Sequence, residues 1–102
     1  MYIIRKKPFL NASKRFQNDA ALIKYLYKTL KNGTFLTPEE LNTVFPSLVK
    51  NRYREKWWGI NFGANNLQLL AFIDFKYNMI YVKHIVTMDE HDKLCKQYAK
   101  KM

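Results

Sequence analysis

Three segments of the second half of the chain are typical of β-strands: KWWGINF at 56–62, LQLLAFIDF at 67–75 and MIYVKHIVT at 79–87. Each segment is rich in the β-branched and aromatic residues that favour an extended backbone, and each has the length of an ordinary strand. The connectors GANN at 63–66 and KYN at 76–78 are short and rich in turn-forming residues. The three segments are therefore predicted to form consecutive antiparallel strands joined by hairpins.

The chain before these strands is predicted to be mainly helical. A short edge strand is expected over residues 1–5, and Pro8 is expected to end it. A short helix is then predicted over residues 12–17, with Asn11 as its N-cap.

A longer helix is predicted to begin after Asp19 and to end at about Lys31. Gly33 follows, where a helix commonly ends on a residue with left-handed backbone. Residues at spacings of three and four form its apolar stripe: Leu22, Tyr25, Leu26, Thr29 and Leu30. The lysines of this segment fall off the stripe, so the helix is expected to have a basic outer face.

Two further helix starts carry recognisable capping residues. Thr37 is followed by Glu40 at the third helical position, and Pro46 ends that short segment. Thr87 and Glu90 have the same spacing at the start of a C-terminal helix. Together, the elements predict an α+β fold in which N-terminal helices pack on a small, mainly antiparallel sheet, with a helix at the C-terminus.

The net charge is the clearest functional signal in the composition. The chain has 102 residues, with 18 Lys and Arg against 8 Asp and Glu, which gives a formal charge of +10. Its hydrophobic content of 48% is too high for a disordered basic tail. This length predicts one domain over residues 1–102 and excludes a large cleft between domains. A globular basic domain of this kind indicates a nucleic-acid partner, although lysines that serve only solubility remain an alternative.

Other classes of protein are excluded by what the sequence lacks. Its one cysteine, Cys95, rules out an internal disulfide and a cysteine-rich zinc site. No apolar run approaches the length of a membrane span, and none follows the basic N-terminus as a secretory signal would require. We therefore expect a cytoplasmic protein that has no membrane partner.

Four cations alternate along one segment of the sequence. Lys50, Arg52, Arg54 and Lys56 occur at period two, so in an extended segment they would project to one side at intervals of about 6.8 Å. Tyr53, Trp57 and Trp58 are interleaved with them and could stack on unpaired bases. The alternative is a solvated edge whose aromatic residues turn into the core.

The last predicted strand and the helix after it contain both histidines. Strict alternation places Ile80, Val82, His84 and Val86 on one face of the strand, and Tyr81, Lys83, Ile85 and Thr87 on the other. His84 is then expected to be a buried core residue. His91, in the first turns of the helix, is either an exposed histidine or a functional one.

The acids are too few for a nuclease that uses two metal ions, because such a site needs several converging carboxylates. A ribonuclease without a metal needs only a base, an acid and cations, and this sequence offers all three types. The sequence therefore predicts no metal site and no cofactor.

Five segments resemble one known family: FPSL at 45–48, RYREKWW at 52–58, INFGANNL at 60–67, YVKHIVT at 81–87 and DEHDK at 89–93. They are similar to HigB toxins of bacterial type II toxin-antitoxin modules, which belong to the RelE-like superfamily. The likeness covers nearly the whole chain. It implies a RelE-like α+β fold and a toxin that cleaves messenger RNA, typically in the ribosomal A site. It also implies neutralisation by a HigA antitoxin with a helix-turn-helix domain.

The resemblance and the pattern of cations together suggest the site. Lys83 and Arg54 would stabilise phosphate charge, and His91 would act as acid or base in place of the family's histidine at position 88. The residues expected to bind RNA are Lys50, Arg52, Lys56, Gln68 and Tyr81. The family pattern usually has arginine where this chain has Gln68, and histidine and tyrosine where it has Met88 and His91.

Two functions therefore follow as hypotheses from the sequence. The first is a ribosome-dependent, metal-independent mRNA endoribonuclease that inhibits translation. The second is a catalytically weakened relative that binds RNA, the ribosome or an antitoxin without efficient cleavage. In both, the expected partners are mRNA on the ribosome and a HigA-like antitoxin, with operator DNA reached only through the antitoxin. An unrelated basic RNA-binding module is a third and weaker alternative.

Overall fold

The computed structural model describes residues 1–51, 54–62 and 67–100. These residues form a five-stranded sheet, four α-helices and a 3₁₀ turn at Gln17–Asp19. The strands are β1 (Tyr2–Ile3), β2 (Val49–Lys50), β3 (Trp57–Phe62), β4 (Leu67–Asp74) and β5 (Met79–Thr87). The helices are α1 (Lys7–Arg15), α2 (Ala20–Asn32), α3 (Pro38–Val44) and α4 (Met88–Lys100).

The sheet has the strand order β1-β5-β4-β3-β2. The pairs β2–β3, β3–β4 and β4–β5 are antiparallel, whereas the short edge strand β1 runs parallel to β5. The α+β prediction is therefore confirmed, and so are the three strands quoted at the outset. None of the described helices is long and apolar enough to cross a membrane.

One face of the sheet carries the hydrophobic core. Helix α1 packs on β5, and α2 packs on α1 and β1. The core residues of the strands are Ile60, Leu67, Leu69, Ala71, Ile73, Ile80, Val82 and Ile85. Burying each large aliphatic side chain contributes about 1.5–3 kcal/mol, so this face holds the sheet and the N-terminal helices together. Helix α4 packs on the opposite face, against β4 and β5.

A β-bulge in β5 changes the predicted alternation. Leu70 of β4 pairs with His84, but the next residue, Ala71, pairs with Val82, which leaves Lys83 as an extra residue in β5. An extra residue moves every later side chain to the other face. The two predicted faces are therefore wrong beyond Lys83. Ile85 is buried in the core, and His84 lies on the opposite face.

The start of α1 also differs from the prediction. The helix begins at Lys7, and Pro8 lies in its first turn instead of ending a strand. Proline suits this position because its φ is already helical. It has no backbone N–H, but the N–H groups of the first turn make no hydrogen bond within the helix. Asn11 is therefore inside the helix and is not its N-cap. The residue at the cap position is Lys6, which makes no side-chain capping bond.

Helix α2 has the predicted bounds to within a residue, but its buried face is rotated. Ile23, Leu26 and Leu30 are buried, whereas Tyr25 of the predicted stripe is 61% exposed. Gly33 has φ −90° and ψ 160°, which is extended and not left-handed. A Cβ at Gly33 would lie 2.5 Å from the Phe35 ring, so glycine is required there by close packing.

Both predicted threonine caps are confirmed. The backbone N–H of Glu40 donates to Thr37 Oγ1 at 3.2 Å, and Glu40 Oε2 accepts from the N–H of Leu36. At α4 the N–H of Glu90 donates to Thr87 Oγ1 at 3.4 Å, while that hydroxyl donates to Glu90 Oε1 at 3.0 Å. The second cap fixes where α4 leaves the sheet, and thereby where its side chains meet the strands.

Candidate active site

The face opposite the core has an aromatic row across three strands. Trp57 of β3 pairs with Phe72 of β4, and Phe72 pairs with Tyr81 of β5. Lys83 Nζ lies 4.1 Å from the Tyr81 ring centroid and 5.5 Å from the Trp57 ring. The bulge produces this geometry, because it places the extra residue Lys83 beside both rings.

Two arginines extend this row at its ends. Arg54 Cζ lies 5.1 Å from the Trp57 ring, and Arg5 Cζ lies 5.8 Å from the Tyr81 ring. Arg5 also donates to the Tyr81 hydroxyl at 3.1 Å. We call Arg5, Tyr81, Lys83, Trp57 and Arg54 the cation–aromatic ladder. It brings together three predicted site residues: Arg54, Tyr81 and Lys83.

The ladder is strongly positive. The hydrogen bond from Arg5, and then its charge, hold the pKa of Tyr81 below its ordinary value. In the described residues, two carboxylates form ion pairs, and neither pairs with a cation of the ladder. Glu90 pairs with Arg15, and Asp74 pairs with Lys56. A cation over a ring face is attracted to phosphate as well as to the ring, and the rings offer stacking surfaces for bases.

A second cluster lies where α4 crosses the same face. His84 Nε2 lies 3.3 Å from His91 Nδ1, and His91 Nε2 lies 3.4 Å from Cys95 Sγ. Asn51 Nδ2 donates to Cys95 Sγ at 3.6 Å. His91 and Cys95 are four residues apart on α4 and therefore share one side of the helix. We call these four residues the histidine–cysteine cluster.

Burial keeps the cluster neutral near pH 7. It lowers the pKa of His84 to about 4, with the nearby His91 adding to the effect, and it lowers the pKa of His91. It raises the pKa of the Cys95 thiol. Because Asn51 donates to the sulfur, we infer that the thiol hydrogen points to His91 Nε2. His91 Nδ1–H then donates to His84.

His91 also lines a cavity of about 330 Å³ between α4 and the sheet, which we call the α4 cavity. Two more predicted residues, Lys50 and Gln68, line it as well. Gln68 is only 4% exposed, and among the described residues no donor contacts its Oε1. Gly59 lies beneath its amide, and a Cβ there would stand 2.5 Å from Gln68 Nε2. The cavity thus has a polar floor, with a titratable side chain in its wall.

The three described members of the predicted row of four cations do not lie on one extended strand. Lys50 ends β2, Arg54 lies in a bend, and Lys56 lies in a turn with φ 63°. A residue in the left-handed region interrupts an extended segment. The period-two spacing therefore does not place these side chains on one face. Lys56 instead pairs with Asp74 at 3.8 Å. The predicted residue Arg52 lies outside the described residues, as does Tyr53.

The structure adds residues that the sequence did not single out for a functional role. His84 joins the site only because of the bulge, which no period-two reading can detect. The spacing of His91 and Cys95 was visible, but nothing in the sequence placed Asn51 beside the thiol. Met88 is the first residue of α4, and His91 lies about one turn further along the same helix. In the described parts of the chain, no three His, Cys, Asp or Glu side chains are grouped to hold a metal ion.

Comparison with known proteins identifies the family. Residues 19–94 match the family described as HigB_toxin, RelE-like toxic component of a toxin-antitoxin system. The chain is 42% identical over 98 residues to the mRNA interferase HigB of Escherichia coli O6:H1, covering 96% of this chain and 95% of the relative. It is 30% identical over 92 residues to the mRNA interferase toxin HigB of Escherichia coli K12, covering 90% and 88%. The chain therefore belongs to the HigB family of RelE-like toxins.

Proposed function

We propose that this chain is a single toxin domain that cuts mRNA on the ribosome without a metal ion and thereby inhibits translation. Family membership supports this, and so do the relatives' names as mRNA interferases. The observation that carries the proposal is the neutral pair of His91 and His84, in which His91 lines the α4 cavity and His84 follows Lys83 of the cation–aromatic ladder.

The pair suits proton transfer from a ribose hydroxyl. A neutral His91 accepts the 2′-hydroxyl proton as the 2′-oxygen attacks the adjacent phosphorus. The bond to the 5′-oxygen then breaks, and that oxygen takes the proton back from His91. His84 Nε2, which accepts from His91 Nδ1–H, stabilises the imidazolium formed in between. The weak thiol hydrogen bond of Cys95 is the contact that the substrate hydroxyl displaces.

The cations have a separate role in this proposal. Lys83 and Arg54 stabilise the charge that builds on the phosphate oxygens in the transition state. Tyr81 and Trp57 stack on bases beside the cleaved bond, while Lys50 contacts phosphate at the mouth of the α4 cavity. Gln68 contacts the nucleotide by hydrogen bonding only, since it carries no charge. Lys56 and Arg52 add affinity for RNA.

We also propose a HigA-like helix-turn-helix antitoxin as the neutralising partner, with operator DNA contacted only through it. An antitoxin segment that binds so basic a chain is expected to carry complementary acids. Co-expression with a HigA-like helix-turn-helix protein should restore growth and give a stable complex. A toxin that stays fully active in its presence would contradict this part.

The test is cleavage by the purified chain with and without ribosomes. The wild type should cut mRNA within translated codons only when ribosomes are present. His91→Gln should reduce the single-turnover rate by about 10²–10⁴. Lys28→Gln, an exposed residue of α2, is the matched control and should leave the rate unchanged. Cleavage of free mRNA at the same rate would overturn ribosome dependence, and an unchanged rate in His91→Gln would overturn the site.

The binding-only function remains the second candidate, and two observations favour it. Gln68 is buried and uncharged where the resemblance leads us to expect an arginine, and both ring nitrogens of His91 contact protein groups. Translation inhibition without cut transcripts would establish this alternative. In that case, Gln68→Arg combined with Met88→His should create or strengthen cleavage.

A further inference from the structure

A groove separate from the α4 cavity lies between α1 and the outer edge of β5. It encloses about 400 Å³ and has cations on both sides: Arg5, Lys7 and Arg15 on one, Lys83 on the other. No acidic residue lines it. Arg15 is partly compensated by its ion pair with Glu90. The groove therefore has a positively charged lining, and the ligand that fits this charge best is a polyanion.

The groove leads to the histidine–cysteine cluster. His84 lines it, and the same ring contacts His91, which lines the α4 cavity. The histidine pair is thus the wall that the two spaces share. Lys83 and Arg5 belong both to the groove and to the cation–aromatic ladder, so phosphate-binding and base-stacking groups are adjacent along one path.

The end of β1 leaves this path open. β1 pairs with β5 only at Met79 and Ile80, so among the described strands none covers the outer edge of β5 from Tyr81 onward. An uncovered strand edge presents backbone N–H groups, which are additional donors for an anionic ligand.

From this continuity we infer that the α1–β5 groove binds the phosphate backbone of the single-stranded RNA that flanks the cleaved nucleotide. This inference rests on the proposed function for the identity of the cleavage site, but it concerns a different surface. Alternating phosphates and bases match a groove with basic walls that ends at the half-buried rings of Tyr81 and Trp57. An acidic protein segment would use the cations but would have no need of the adjoining rings.

The experiment measures binding of a labelled single-stranded 2′-O-methyl RNA, which cannot be cut, by fluorescence anisotropy over a range of salt concentrations. Arg5→Gln with Lys7→Gln should lower the slope of log Kd against log salt by about 1.4, because single strands give about 0.7 per phosphate contact. The control is Lys24→Gln with Lys28→Gln, which removes the same charge from exposed positions of α2. It should lower the slope by less than half as much as the groove variant does.

A second variant tests the groove without removing any cation. Asn11 is exposed and lines the groove, so Asn11→Glu should weaken RNA binding several-fold while thermal unfolding stays the same. Equal effects of the two double variants, or no effect of Asn11→Glu, would overturn the inference. So would unchanged RNA binding together with lost affinity for the antitoxin, since the groove would then bind protein. The RNA is uncleavable and no ribosome is present, so these binding measurements do not depend on cleavage. If the cleavage proposal fails, the groove variants should still weaken RNA binding as expected.

Discussion

At the scale of single residues, Gly59 and Gln68 meet on the floor of the α4 cavity. A methyl group at Gly59 would stand 2.5 Å from Gln68 Nε2, so the buried amide would have to shift towards the α4 cavity that it lines. Gly59→Ala should therefore lower the free energy of unfolding by about 1 kcal/mol, the low end of the cost of overpacking. In the double variant with Gln68→Ala the clash is gone, so denaturant unfolding should give a smaller loss than the sum of the single losses. Strict additivity would show that the two residues do not meet.

His84 makes stability depend on pH. Its pKa falls from 6.5 to about 4 on folding, so between these values the unfolded chain binds more protons than the folded chain. The free energy of unfolding should therefore decrease as the pH is lowered from 6.5 towards 4. Urea unfolding at several pH values measures this, and His84→Gln should flatten the dependence over that range. An equally steep dependence in His84→Gln would place the titrating group elsewhere.

At the scale of elements, α4 places His91 against β5, and the Thr87 cap fixes the start of that helix. Thr87→Ala should cost about 1 kcal/mol in stability and should also slow cleavage, while Thr87→Ser retains both. Thr37→Ala removes the equivalent cap from α3 and is the matched control. It should cost similar stability with no change in the cleavage rate. A loss of activity in both alanine variants would mean that stability alone is responsible.

The elements also show which local patterns the sequence determines. Capping by Thr37 and Thr87 and the three main strands were predictable, because each depends on residues close together in the chain. The bulge at Lys83 depends on how β5 pairs with β4, and pairing register is a property of two strands. The buried face of α2 similarly depends on which neighbours it packs against, so Tyr25 fits the helical spacing and is nevertheless exposed.

At the scale of the whole molecule, the charge of +10 divides into surfaces with different surroundings. Cations of the ladder and of the α1–β5 groove gather beside the histidine pair, whereas Lys56 is paired with Asp74. Composition predicts the total charge and cannot predict this distribution, which results from the fold. The predicted residues Lys83, Arg54 and Tyr81 meet for that reason, although Lys50, Arg54 and Lys56 do not lie on one extended strand as expected.

In the proposed mechanism, neutral His91, supported by His84, moves the proton in RNA cleavage. The most direct test is the single-turnover cleavage rate of ribosome-bound mRNA as a function of pH. Because burial lowers the pKa of His91, the rate should fall on acidification, with its midpoint below pH 6.5, the ordinary pKa of histidine. His91→Gln should lose this limb together with most of the rate. A wild-type rate that shows no dependence on pH in this range, or a His91→Gln variant that keeps the wild-type profile, would contradict the account.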